Sequence, residues 1–330
     1  MKTIRLSLCL ALLLTALLPW AGACAKSTAA PATTVPSGDA LQATKTPKPT
    51  KTPKATKTPK PTKTPKPTAE PYLAPGQTPV ITKNSYRSQQ IAITITAQRC
   101  SNTDVYVADI YVKDVRSFQR AYPGTRWGKT AQRITTLSES QNAILSMTGD
   151  SANNFSAGWV IMNGQVLRDK VNRKRDIGIL YTTGEMVTIP AQEIDHGAIA
   201  AAAEAGEIWQ TFLFGPMLLD QDGKAMTKFN SNVGPVNPRS VIGYYAPGHY
   251  CFVQVDGRRT ASALEKGKKN RGLTLTDLSL FMESLGCKAA YNLDGGQSSL
   301  MYFAGKIHST PFKNGRRLSD IVLIKEVDAP

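Results

Sequence analysis

Histidine is scarce in this 330-residue chain, which has only His196, His249 and His308. None flanks a nucleophile elbow, so a Ser-His-Asp hydrolase has thin support and all three read as solvated surface residues. Cysteine is also sparse: five residues, with no CxxC pair and no Cys/His spacing, which removes the usual zinc frameworks. Long apolar runs are missing. The one leucine-rich stretch, Leu6 to Leu18, spans about 13 residues, short of the roughly 20 a membrane-spanning helix needs. Acid is nearly absent from the N-terminal part, where residues 1–68 carry eleven Lys/Arg against Asp39 alone.

That N-terminal part has its own logic. Lys2 and Arg5 precede the apolar stretch and Ala21-Gly22-Ala23 follow it, so residues 1–23 read as an export signal. Cys24 then stands as in a lipobox, with Ala21 where Leu is usual. Acylation of Cys24 is the expectation, and plain Ala-x-Ala cleavage the alternative. Residues 24–69 read as a Lys/Thr/Pro-rich disordered stalk. Within it lysine recurs every third residue from Lys45 to Lys66, the period of polyproline II, with nothing apolar to bury. At about 3.1 Å per residue, residues 41–68 would reach roughly 90 Å.

The stalk also explains the charge. Of the net +16, +10 belongs to residues 1–68 and +6 to residues 69–330. A row of lysines holds anionic cell-envelope polymer loosely by electrostatics. Nucleic acid is a poor partner for an exported chain. The expected location is therefore extracellular, with the membrane reached through a lipid anchor only.

Residues 70–330 read as one α/β domain of the α+β kind, a mixed sheet built from hairpins and strand-helix-strand units. Gln90–Cys100 and Val105–Lys113 alternate like neighbouring strands. Asn163-Gly164 predicts a type I′ hairpin between Trp159–Met162 and Gln165–Arg168. A second hairpin spans Ile177–Ile189 and a third Val241–Val255. Asp195 caps an Ala-rich helix, and Thr274, with Asp277 three residues on, caps a helix to Leu285. Ala143–Met147, Ala289–Leu293 and Asp320–Ile324 are compact apolar runs typical of buried strands. Three cysteines remain in the domain, Cys100, Cys251 and Cys287. A Cys251–Cys287 bridge and two buried thiols both stay open.

Chemistry concentrates where polar clusters end these apolar segments. Asn292-Leu293-Asp294-Gly295-Gly296-Gln297-Ser298-Ser299 follows a buried strand. Two glycines after a carboxylate let backbone approach a ligand, and Ser298 and Ser299 can donate to anionic oxygens. The bland alternative is a tight Asp-Gly turn. Thr148-Gly149-Asp150 ends another strand. Asn237-Pro238-Arg239-Ser240 opens the third hairpin and Val255-Asp256-Gly257-Arg258 closes it, so in-register pairing brings Arg239 and Arg258 together as a phosphate clamp. Each cluster taken alone is also a plausible surface turn.

In this order the clusters resemble the phosphodiester glycosidase family. The match runs from about Thr135 to Leu323: Gly149-Asp150, Gly158, Asn163-Gly164 and Phe214-Gly215-Pro216, then Pro238-Arg239 with Gly243 and Val255-Asp256-Gly257-Arg258. It continues through Gly272-Leu273-Thr274, the Asn292–Ser299 element and Ser319-Asp320. Residues 70–134 match loosely. The chain departs at Thr148, where many relatives have Asn, and at Gln297, where Gly is frequent. The resemblance implies cleavage between an anomeric carbon and a phosphate oxygen in a carbohydrate phosphodiester. Asp294 is then the first choice of catalytic carboxylate, with Asp150 and Asp256 as alternatives. Arg239, Arg258, Gly295, Gly296, Ser298 and Ser299 would bind substrate phosphate. No cofactor is expected, although clustered carboxylates suit Ca²⁺ or Mg²⁺. The competing readings are a non-catalytic module that holds anionic polymer and a metal-dependent phosphodiesterase.

Overall fold

The computed structural model describes residues 71–258 and 270–328. The export signal, Cys24 and the stalk lie outside the described residues. The domain is α+β, and its strands form three sheets. The largest runs β1 (Val80–Ile81), β2 (Ser85–Arg87), β3 (Ile91–Cys100), β4 (Thr103–Val112), β13 (His249–Val255), β12 (Arg239–Ala246), β14 (Ala289–Asn292). A second is ordered β10 (Met186–Ile189), β9 (Ile177–Tyr181), β11 (Ile208–Phe212), β7 (Gly158–Met162), β8 (Gln165–Lys170). The third is β16 (Lys306–Ile307), β15 (Met301–Phe303), β6 (Leu145–Thr148), β17 (Ile321–Ile324), β5 (Phe118–Ala121).

Every pairing between these strands is antiparallel. Three antiparallel sheets thus replace the single mixed sheet expected. The reason is where each helix sends the chain. α3 (Leu275–Ser284) leads into β14, which pairs antiparallel with β12.

The local signals act as their chemistry dictates. Asn163 and Gly164 both have positive φ, 53° and 78°, as a type I′ turn requires. Asp195 accepts from the amides of Gly197 and Ala198 and starts α2 (His196–Glu204). Thr274 accepts from the Asp277 amide and starts α3. These caps satisfy amides that would otherwise lack partners.

One core joins the sheets: Ile110, Phe252 and Tyr291 from the first, Phe212 from the second, Phe118 and Met147 from the third, all fully or almost fully buried. Each outer face carries one helix. Leu275, Leu278 and Met282 of α3 cover Val241 and Val253. Ile199 of α2 packs with Trp159 to Met162. Ile134 and Leu137 of α1 (Ile134–Ser140) pack with Tyr302 and Leu323. Three sheets sharing one core must bring strand ends together, and the candidate site lies there. Cys251 and Cys287 are free thiols with their sulfurs 3.8 Å apart, both buried. His249 is not a solvated surface residue: it stacks between Tyr111 and Tyr245 and bonds Asp109 at 2.8 Å.

Candidate active site

The C-terminal ends of β6, β11 and β14 and the start of β17 converge. Ile321 pairs with Thr148, which sets Asp320 beside Gly149. The approach is so close that a Cβ on Gly149 would collide with the Asp320 carboxylate. Glycine is the residue that fits.

Beneath the site is a buried charge triad. Arg120, on β5, donates through Nη2 to Asp320 Oδ2 at 2.7 Å and lies 3.8 Å from Asp150 Oδ2, with all three side chains at most 1% exposed. Asp320 accepts from the amides of Asp150 and Ser151, at 3.1 and 2.8 Å. Asp150 in turn accepts from the amides of Leu213 and Phe214, at 2.7–2.9 Å. The triad therefore holds the chain after β6 and the chain after β11 in fixed relation.

Burial pushes the Asp150 carboxyl up from 3.8 to about 6; Arg120 opposes this, and Asp320 adds to it. The folded state consequently keeps a proton that the unfolded chain loses. The stability contributed by Asp150 is complete below the unfolded value of 3.8 and is lost as pH rises through about 6. Melting curves of wild type and Asp150→Asn from pH 4 to 7 test this. The stability advantage of wild type should shrink over that interval, and a constant difference would count against it.

Above the triad, Asp294 follows β14 and forms part of the wall of a cavity of about 320 Å³. Among the described residues it is the only carboxylate lining that cavity, beside Lys129, Arg316 and Arg317. Ser151, in a left-handed conformation with φ 48°, donates its hydroxyl to Asp294 Oδ2 at 3.0 Å. The Gly295 amide donates to Oδ1 at 2.8 Å and Arg316 Nη2 to Oδ2 at 2.7 Å. Arg316 is 52% exposed and its Nε also donates to Ser298 Oγ. A carboxylate gripped by three donors is held in one orientation, as a group acting on a bound substrate must be.

The three acids named from the sequence thus part ways. Asp294 faces the cavity. Asp150 is enclosed by the backbone it organises. Asp256 is 1% exposed, with both oxygens accepting from the Thr310 amide at 3.1 Å, and so ties β13 to the segment after β16.

The expected phosphate contacts also change. Arg239 and Arg258 do come near one another, since Arg239 pairs with Val255, but they form no clamp. Arg239 is buried; its Nε donates to Leu273 O and its Nη2 to the carbonyls of Gly234 and Pro235. Burial, with Arg258 close by, draws its pKa down to about 10. Arg258 is exposed, held by Asn237 Oδ1 and set over Gly296. The Gly295 amide serves Asp294 itself and the Gly296 amide bonds Pro238 O at 3.0 Å. Ser298 and Ser299 are buried, the latter accepting from Ser240 at 3.5 Å. These four residues brace the loop.

Thr148 and Gln297, the two departures, brace it as well. Thr148 bonds Ser298 O and accepts from the Leu300 amide, and Gln297 donates to Gly315 O. Sequence reasoning passed over Arg120, Ser151 and Arg316. Only Arg316 left a trace, as part of the Arg-Arg pair just before Ser319-Asp320. Among the described residues, no group of three or more His, Cys, Asp or Glu is placed to hold a metal ion.

A rigidly held carboxylate at the strand ends of an α+β domain, in a cation-lined cavity, suits a site for an anionic substrate. The phosphodiester glycosidase family model matches residues 139–325, and the chain belongs to that family. Among solved structures it is similar to the zebrafish N-acetylglucosamine-1-phosphodiester alpha-N-acetylglucosaminidase catalytic domain, auto-inhibited by its pro-peptide. Identity is 18% over 72% of this chain and 83% of that one, with a TM-score of 0.56, which shows a shared fold. A hypothetical protein from Synechocystis is 14% identical over 72% of this chain and 62% of that one, at a TM-score of 0.48. A search of curated proteins finds no match.

Proposed function

We propose that the protein is an exported, envelope-held hydrolase that cleaves sugar-1-phosphodiester linkages in envelope or extracellular polysaccharide. The observation that carries this reading is Asp294 and Arg316 together on one cavity wall, 2.7 Å apart. In the reaction, water oxygen bonds to the anomeric carbon and the carbon–oxygen bond to phosphate breaks, its electron pair staying on the phosphate oxygen. Phosphate is already a good leaving group, so the demand on a general acid is low. Arg316, with Arg317 and Lys129 in the same wall, offsets the charge that gathers on it. Asp294 takes up the proton of the attacking water or steadies the oxocarbenium-like centre, both carboxylate tasks.

Hydrolysis of a sugar-1-phosphodiester in ¹⁸O-labelled water tests the reading. The label should appear in the released sugar. Label in the phosphate would mean phosphorus–oxygen cleavage, the phosphodiesterase alternative. Binding of the diester without turnover would point to the non-catalytic module.

A further inference from the structure

A second cleft, of about 760 Å³, adjoins the Asp294 cavity, and Asn154 lines both. One wall is the loop from β8 to β9, where Arg173, Lys174 and Arg175 stand in succession. The facing wall is Asn230-Ser231-Asn232, and among the described residues no carboxylate lines the cleft.

A basic loop between two strands is usually just solvated surface, but this one is tied down on three sides. The Arg175 guanidinium lies 3.8 Å from the centre of the Phe155 ring, and its Nη1 donates to Phe214 O at 3.0 Å. Asn230 Nδ2 donates to Lys174 O at 2.8 Å and joins the two walls. Phe214 is also the residue whose amide bonds Asp150, so the cleft is braced against the scaffold of the site. Arg173 and Lys174 are left exposed at its edge. Like charges in sequence repel one another, and a concave wall focuses their field. An anion between the walls relieves that repulsion and meets the amide and hydroxyl donors opposite.

We propose that this cleft is a second anion subsite. It takes a neighbouring phosphate of a glycan built from repeated sugar-phosphate units, while Asp294 and Arg316 engage the linkage to be cut. The proposal rests on the hydrolase reading above and extends it: the preferred substrate is a polyanionic polymer rather than an isolated diester.

The test compares the full chain with its Arg173→Gln/Lys174→Gln variant. Both carry the lysines at 45–66, so the difference reports the cleft alone. Two probes are used: a synthetic glycosyl-phosphate oligomer with several phosphates, and a monomeric diester with one. The variant should raise KM for the oligomer about tenfold or more and leave kcat/KM for the monomer within about twofold. Equal effects on both probes would place these cations in the main site and overturn the proposal.

Calorimetric titration with the oligomer supplies a readout independent of turnover. Wild type should bind it about tenfold more tightly than the variant, and equal binding would also overturn the subsite. If wild type hydrolyses neither probe, the hydrolase reading fails, and the calorimetric comparison still decides the subsite.

Discussion

Arg120→Met should destabilise the domain by about 3–5 kcal/mol, the usual consequence of removing one partner from a buried ion pair. Arg120 is fully enclosed between Asp150 and Asp320. Its Nη1 donates to Thr211 O at 2.6 Å, and its guanidinium lies 5.1 Å from the centre of the Phe212 ring. Methionine fills a similar volume and can lie on the same ring, so little is lost in packing. What is lost is the cation that lies against two buried carboxylates that already repel each other, Asp320 being one cause of the raised Asp150 value.

Thermal unfolding at pH 7 measures the effect. At roughly 2–4 °C per kcal/mol for a domain of this size, the midpoint should fall by about 10 °C. Part of the loss should return near pH 5, where a proton can neutralise Asp150 in place of the arginine. A midpoint within about 2 °C of wild type at pH 7 would mean that the triad does not hold the loops after β6 and β11 together.

Asp294→Asn should reduce kcat by about 10² or more with KM little changed, because the substitution keeps the shape and removes the charge. The site is built to let that happen cleanly. An Asn at 294 keeps an oxygen acceptor for the Ser151 hydroxyl or the Gly295 amide, and Arg316 is half exposed, so water can replace its lost partner. Melting temperature should therefore stay near the wild-type value. Measuring thermal unfolding and kcat on the same preparation separates the two roles. A destabilised variant with normal turnover would reduce Asp294 to a structural acid like Asp150 and Asp256, and the proposed chemistry would lose its carboxylate.

Much of the domain follows from the sequence alone because its signals are local. Asn163-Gly164 makes its turn because two adjacent residues tolerate positive φ, and Asp195 and Thr274 start helices because their side chains reach amides two or three residues away. The Asn292–Ser299 element marks the site for a similar reason: its glycines meet close contacts, a Cβ on Gly295 lying 2.7 Å from Pro238 O.

The same local reasoning could not choose among Asp150, Asp256 and Asp294. All three adjoin a glycine at a strand end, and what separates them is which other segment closes over them. The chain after β11 seals Asp150 and the Thr310 segment seals Asp256, whereas Asp294 stays open to a cavity. The arginines follow the same rule. Hairpin register did bring Arg239 and Arg258 together, as their spacing implied, yet carbonyls of residues 234, 235 and 273 took the Nε and Nη2 donors of Arg239. Arg316 gained its place beside Asp294 only because β17 packs against β6. Sequence determined the turns, caps and buried strands, whose energies depend on neighbours along the chain. Tertiary structure decided which charges meet a ligand, because desolvation and pairing depend on neighbours in space.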